Sequence, residues 1–335
     1  MYHIILAGGS GTRFWPMSTK ENPKQFLKIV DDLSLIKTTY NRIRKISSKD
    51  KIFIVSSEKY RDKINDEISS ANIIIEPSPK NTTPAIYLAA QKIFSIDNKA
   101  KLAFYPSDHY IQDEDNFIKA VKCIDEYLDI NHSAILSIGI QPNYAATGYG
   151  YISYNEDINP IDNIYKVDLF IEKPNSNHAE ELIQKKSNLW NAGMFFFYAK
   201  NIISEIEKFN PEFKNNNNII KSWNSLPSIS IDYAVIEKTD ACYCIRGDFI
   251  WSDVGSWKTL YELLDKNIDE NVISGESILY DSKNNLIISP DKLTAVVGID
   301  NIAVINIENT TLIINLNKSD DLKFLVEKIV NNKNY

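Results

Sequence analysis

Apolar runs of strand length alternate with amphipathic stretches of helix length through most of this chain. Tyr2–Ala7 is an apolar run with the look of a buried parallel strand. Residues 33–46 then read as a helix, Lys51–Ser57 as a strand, 58–70 as a helix and Asn72–Glu76 as a strand. Further on, Lys101–Tyr105, Ala134–Ile140, Val167–Ile171 and Ala241–Ile245 read as strands, and 201–209 and Ser230–Lys238 as helices. Residues 114–129 place Phe117, Val121, Ile124 and Leu128 on one helical face. Alternation of this kind predicts an α/β fold, a mostly parallel central sheet covered by helices. Asn215–Asn218 is expected to be a solvated polar loop. From about residue 270 short apolar runs follow one another with no helix-length pattern until 319–330: Ile278–Tyr280, Leu286–Ser289, Thr294–Val297, Ile302–Ile307 and Thr311–Leu316. The expected division is therefore 1–268 and a small β-rich domain over 269–335 that ends in a helix.

The first strand runs into Gly8-Gly9-Ser10-Gly11-Thr12-Arg13-Phe14-Trp15-Pro16, and Pro23-Lys24-Gln25-Phe26 follows. Glycines permit positive φ and let backbone approach a ligand. Successive N–H groups in such a turn can hold an anion. Arg13 and Lys24 supply positive charge, one as a planar fork and one as a point charge. The turn is not a Walker loop, because Gly11-Thr12-Arg13 stands where Gly-Lys-Ser/Thr is needed. It is not a dinucleotide fingerprint either, because Phe14 stands where the third glycine belongs.

Six further stretches carry candidate chemistry. Glu76-Pro-Ser-Pro-Lys80-Asn81-Thr82-Thr83-Pro84 is a loop opening a helix, with Thr83 as the expected cap and Pro84 at the first helical position. Ser107-Asp108-His109 follows a strand, and a carboxylate at the carboxyl end of a parallel strand sits where open α/β sheets bind ligands; a turn or cap aspartate is the plainer reading. Gly148 and Gly150 form a second glycine turn, which can equally be a hairpin corner. Glu172 and Lys173 leave a strand in alternating directions, and Asn191, in a Trp-Asn-Ala-Gly run expected to precede an apolar strand, offers both a donor and an acceptor. Asp253 can cap the helix carrying Leu260, Leu263 and Leu264, or can serve a site.

Taken together these strings resemble the sugar-nucleotide pyrophosphorylases, and the Phe-Trp-Pro and Pro-Lys-Gln-Phe variants resemble their mannose-1-phosphate guanylyltransferase branch. The resemblance implies a Rossmann-like nucleotidyltransferase domain of the GT-A-like kind and a short β-helix-like C-terminal domain. It implies transfer of GMP from GTP to mannose 1-phosphate. Leu6, Ala7, Gly8, Gly9, Gly11, Thr12, Arg13, Lys24, Lys80, Asn81, Thr82, Pro84, Ser107 and Asp108 would meet the nucleotide. Gly148, Glu172, Lys173 and Asn191 would meet the sugar phosphate. Asp108 and Asp253 would hold Mg2+, and Arg13, Lys24, Asp108, Lys173 and Asp253 would carry the reaction. Lys80 departs from the family pattern, which has Arg there. A different sugar or base, or a non-catalytic sensing relative, remains open. Longer relatives carry a sugar-isomerase domain that this sequence is not expected to include.

Composition narrows the partners. Over 335 residues the formal charge is -7, unlike a general nucleic-acid binder. No apolar run approaches a membrane span, and the first strand begins at once, so no leader is expected. Of the three cysteines, Cys123, Cys242 and Cys244, the last two read as buried thiols on one strand face, a reducing compartment fits, and the four histidines show no metal-ligand spacing. A cytoplasmic enzyme, acting as a homodimer, is the expectation.

Overall fold

The computed structural model describes residues 1–9, 11–155, 163–214 and 219–331. The polar loop expected at 215–218 lies outside them. By compactness the chain divides into two units. One holds Met1–Gly8, Thr39–Ser107 and Ile111–Trp251; the other holds Gly9–Thr38, Asp108–Tyr110 and Ser252–Tyr335.

The first unit is built on a nine-stranded sheet. Its strands in chain order are β1 (Tyr2–Leu6), β2 (Ile52–Ser57), β3 (Asn72–Glu76), β4 (Lys101–Pro106), β5 (Ile135–Ile140), β6 (Tyr151–Tyr154), β7 (Ile164–Ile171), β8 (Asn188–Tyr198) and β9 (Cys242–Gly247). They lie in the order β3-β2-β1-β4-β8-β5-β9-β7-β6, with β8 also pairing β6. The half from β3 to β4 is parallel, as the alternation predicts. The sheet as a whole is mixed, because β8 runs antiparallel to β4, β5 and β6, and β7 antiparallel to β9 and β6. The cysteines of β9 are both buried.

Helix Thr82–Ile96 is the core helix of this unit; Thr83 through Ala90 are all buried. A helix apolar on every side must be surrounded by protein, and the clusters around Ile86, Leu88 and Ile93 supply that surround. Its cap differs from the sequence expectation. Asn81, not Thr83, stands at the cap, at φ 67, and accepts from the Thr82 N–H. Asparagine tolerates the left-handed region where threonine does not. The segment expected as a helix over 230–238 is a five-residue π-helical turn, Asp232–Ile236.

In the second unit, Phe14, Leu27, Trp257, Leu260, Leu286, Ile288, Ala303 and Ile305 share one core. Its four-stranded sheet has β10 (Val272–Tyr280), β11 (Leu286–Val297), β12 (Ile302–Ile307) and β13 (Thr310–Asn315). The first three are parallel, although only the segment Asp281–Asn285 joins β10 to β11. So short a parallel connection has no room for a crossover helix, so successive strands stack as rungs of a coil. Asparagines standing just before two rungs hold the turns. Asn271 Oδ1 accepts from the Asn285 N–H, and Asn285 Oδ1 from the Ile302 N–H. Their amide groups donate to the carbonyls of Ser282 and Ile299. The sequence pattern shows the strands here, but not this ladder.

Asn285 is fully buried, so Asn285→Ala would orphan the Ile302 N–H and the Ile299 carbonyl. Two such groups imply a loss of about 3 kcal/mol. Urea titration of wild type and variant checks it; a loss under about 0.5 kcal/mol would contradict the ladder's role.

Candidate active site

The glycine turn changes units between Gly8 and Gly9. Gly11 is at φ 59, and a Cβ there would stand 2.6 Å from the backbone nitrogen of Lys24. Only glycine fits both the angle and the space. The turn continues into the short 3-10 segment Thr12–Phe14, which leaves Arg13 exposed and Phe14 fully buried. Phe14 meets Trp257 edge to face at 4.8 Å, and the Trp257 indole donates to the Trp15 carbonyl. The aromatic positions of the Phe-Trp-Pro string therefore anchor the turn.

Lys24 is buried, and its ammonium donates to Asp108 Oδ2 at 2.7 Å and to the Asp253 backbone carbonyl at 2.5 Å. Burial alone would raise the Asp108 pKa. The charge of Lys24, the charge of His109, the Lys24 hydrogen bond and the charge of Arg13 together hold it below its usual value. Asp108 is therefore a carboxylate. The Asp253 carboxylate lies over Gly255, and the helix cap is filled by Ser256, whose hydroxyl accepts from the Thr259 N–H. The reading of Asp253 as that cap is thus replaced. Arg13, Lys24, Asp108 and Asp253 are gathered from four stretches of sequence within one unit. Among the described residues no three His, Cys, Asp or Glu side chains converge as a metal cage.

In the first unit, Leu6 accepts from the Ser107 N–H, and Ala7 bonds Val55 through its N–H and Ser56 through its carbonyl. These bonds bind the strand ends that carry the start of the turn. Glu76, at the end of β3, is buried, with its carboxylate against Gly8. Desolvation pushes Glu76 up to about 7. Lys80 is anchored by the carbonyls of Asn224 and Leu226, at 2.8 and 2.6 Å. Its ammonium holds the loop in place, while Thr82 Oγ1 accepts from the Ile231 N–H and Pro84 lies buried at the third helical position.

The last cluster joins β6, β7 and β8. Lys173 adopts φ 47, which turns the chain, and its ammonium folds back on the Glu172 carboxylate. The two side chains therefore pair, where strand alternation had sent them apart. The other Glu172 oxygen lies against Gly150, and the Glu172 N–H donates to Glu237 Oε1. Gly148 has open space about it. Asn191 lies within β8, not ahead of the strand: the register shifts between Ser137 and Gly139, and Gly193 stands at φ 66. That bulge lets Asn191 Oδ1 accept from the Gly193 N–H while Nδ2 donates to Asp232 Oδ1 at 3.1 Å. Burial, and then the charge of Glu172, push Asp232 up to about 7. Tyr149 packs between Trp190 and Trp251 at 5.1 and 5.2 Å. Glu76, Asp232 and this aromatic wall were not singled out from the sequence. Only Glu76 left a signal there, as a lone acid ending an apolar strand.

A family model, nucleotidyl transferase, matches residues 2–270, and a second, mannoseP isomerase/GMP-like beta-helix domain, matches 275–329. The chain belongs to the nucleotidyl transferase family and is an enzyme of the nucleotidyltransferase class. Among the relatives it is similar to are the mannose-1-phosphate guanylyltransferases of Klebsiella pneumoniae and Escherichia coli, each 33% identical and matched over 98% of this chain and 74% of the relative. The solved structure of mannose-1-phosphate geranyltransferase from Thermus thermophilus shares the fold, with a TM-score of 0.91 at 23% identity and 98% of both chains covered.

Glu76 gives a pH test. Its folded pKa is raised from 4.5 to about 7, so the stability it contributes is present below 4.5 and is lost as pH rises through 7. Glu76→Gln should therefore melt progressively higher than wild type as pH rises across that window, with a constant difference above it. Melting curves from pH 4 to 9 check this; a difference independent of pH would contradict it.

Proposed function

We propose that this chain is a mannose-1-phosphate guanylyltransferase, transferring GMP from GTP to mannose 1-phosphate and releasing pyrophosphate. The carrying observation is a match over 98% of the chain to relatives of that name. The chain also keeps Arg13, Lys24, Asp108, Lys173 and Asp253, the charged residues that such a transfer needs.

A phosphate oxygen of mannose 1-phosphate attacks the α-phosphorus of GTP in line, and the bond to pyrophosphate breaks. The attacking oxygen is already anionic, so no general base is required. The task is to hold two polyanions together, which is a matter of positioning and charge. Arg13 and Lys24 address the triphosphate, along with the N–H groups of the turn through Gly8, Gly9 and Gly11. Leu6, Ala7, Thr12, Ser107 and the loop Lys80, Asn81, Thr82 and Pro84 frame the nucleotide. Lys173 leaves Glu172 for the sugar phosphate, and Glu172, Asn191 and the backbone at Gly148 take the sugar.

Asp108 and Asp253 suit a magnesium ion. Both offer oxygen, Asp108 is held ionised, and magnesium commonly takes one or two carboxylates with phosphate oxygens and water. When bound, the ion would neutralise charge on the phosphates of both substrates. The chain acts as a homodimer in the cytoplasm. Support for that compartment comes from its substrates and from Cys123, Cys242 and Cys244, none of which is joined in a disulfide among the described residues. Among the described residues no helix is long and apolar enough to cross a membrane.

Pyrophosphate release from a grid of nucleoside triphosphates and sugar 1-phosphates tests this, and should be fastest with GTP and mannose 1-phosphate. A faster pair would reassign the substrates, and release from none would favour a sensing relative. On the same assay Asp108→Asn and Asp253→Asn should each cut turnover by orders of magnitude. The double variant should cost far less than the product of the two, because the groups act as a unit. Near-wild-type turnover of either single variant at limiting magnesium would remove that residue from the site.

A further inference from the structure

Asp232 stands outside every motif that points to the sugar, yet it is joined to one of them. Its Oδ1 accepts from Asn191 Nδ2 at 3.1 Å, and Asn191 Oδ1 accepts from the Gly193 N–H at 3.1 Å. An amide held at both ends this way has one orientation. With Asp232 ionised, as it is above pH 7, flipping it would set its oxygen against a carboxylate oxygen and its NH2 against an N–H. One N–H and one lone pair of Asn191 are left for a ligand.

A carboxylate is an expensive anchor here. Asp232 is half-buried at the start of a π-helical turn, beside the Glu172 carboxylate and the Lys173 ammonium, with Ser230 as a further hydrogen-bond partner. Burial and Glu172 both oppose its ionisation. A neutral asparagine or serine would cost less and could fill the same space. What it could not do is dictate which way the Asn191 amide points, because asparagine can turn either edge to its neighbour.

We propose that Asp232 is a positioning residue for sugar recognition: it fixes which edge of the Asn191 amide meets the sugar hydroxyls, and so which epimer of the sugar 1-phosphate is accepted. The inference rests on the reading that Asn191 faces the sugar. A site whose donors and acceptors are fixed rejects a misplaced hydroxyl by leaving a buried polar group unpaired, and that fixity is what Asp232 supplies.

The test is steady-state kinetics of Asp232→Asn, Asn191→Ala and the double variant, with mannose 1-phosphate and its epimer glucose 1-phosphate, and melting curves alongside. Asp232→Asn should raise KM for mannose 1-phosphate about tenfold and narrow the preference over glucose 1-phosphate, with KM for GTP unchanged. In the double variant the second change should add nothing to Asn191→Ala, because Asp232 acts through that amide. Should Asp232→Asn fail to fold, Asp232→Ser asks the same question. An unchanged KM for the sugar phosphate, equal losses for both substrates, or losses that multiply with Asn191→Ala would overturn the assignment while leaving the guanylyltransferase reading intact. A wild-type chain that turns over no sugar 1-phosphate would overturn both.

Discussion

The ammonium of Lys24 is the constraint on which the candidate site of the second unit depends. It binds Asp108 and the Asp253 carbonyl at once, and so ties together residues 84 and 229 positions away along the chain. Each partner needs it. A half-buried Asp108 without that charge would lose the main attraction that opposes its desolvation, and a carbonyl left unmet would carry its own desolvation cost. The backbone of Lys24 also forms the surface on which Gly11 lies, so the glycine turn takes its shape from the same residue. Phe14 completes the hold by burying its ring against Trp257.

The cluster around Asn191 is arranged differently. There the carboxylates of Glu172 and Asp232 come near one another, with Lys173 as the paired cation of Glu172, while Glu237 accepts from the Glu172 backbone N–H. Desolvation raises Asp232, and in the same way raises Glu76 at the strand end beside the glycine turn. Neither arrangement is one that stability alone would favour. Acids held above their ordinary range by burial cluster at functional sites.

Much of this was legible in the sequence because short-range signals carried it. The strand Asn72–Glu76 and the parallel half of the sheet follow from apolar runs and alternation. Arg13, Lys24, Asp108, Lys173 and Asp253 stand in strings dense enough to reveal a family. What stayed hidden depends on tertiary packing. The antiparallel course of β8 and the bulge at Gly193 are set by its neighbours, and an apolar run has no direction of its own. The pairing of Lys173 with Glu172 follows from a left-handed backbone angle at a residue that seldom takes one. Asp232 sits in a turn whose pattern reads as an ordinary helix start, and only the fold brings it to Asn191. The asparagine ladder of the C-terminal coil is equally silent, since its period is spread over turns of different length.

In the function proposed here the Lys24-linked aspartates are the metal-binding centre for the nucleotide. The most direct test of this is a crystal structure of the enzyme with GDP-mannose and Mn2+ in place of Mg2+, read by anomalous scattering. One strong peak, coordinated by the carboxylates of both Asp108 and Asp253 and by phosphate oxygen, is expected. A metal held by phosphate alone, or by neither aspartate, would contradict it.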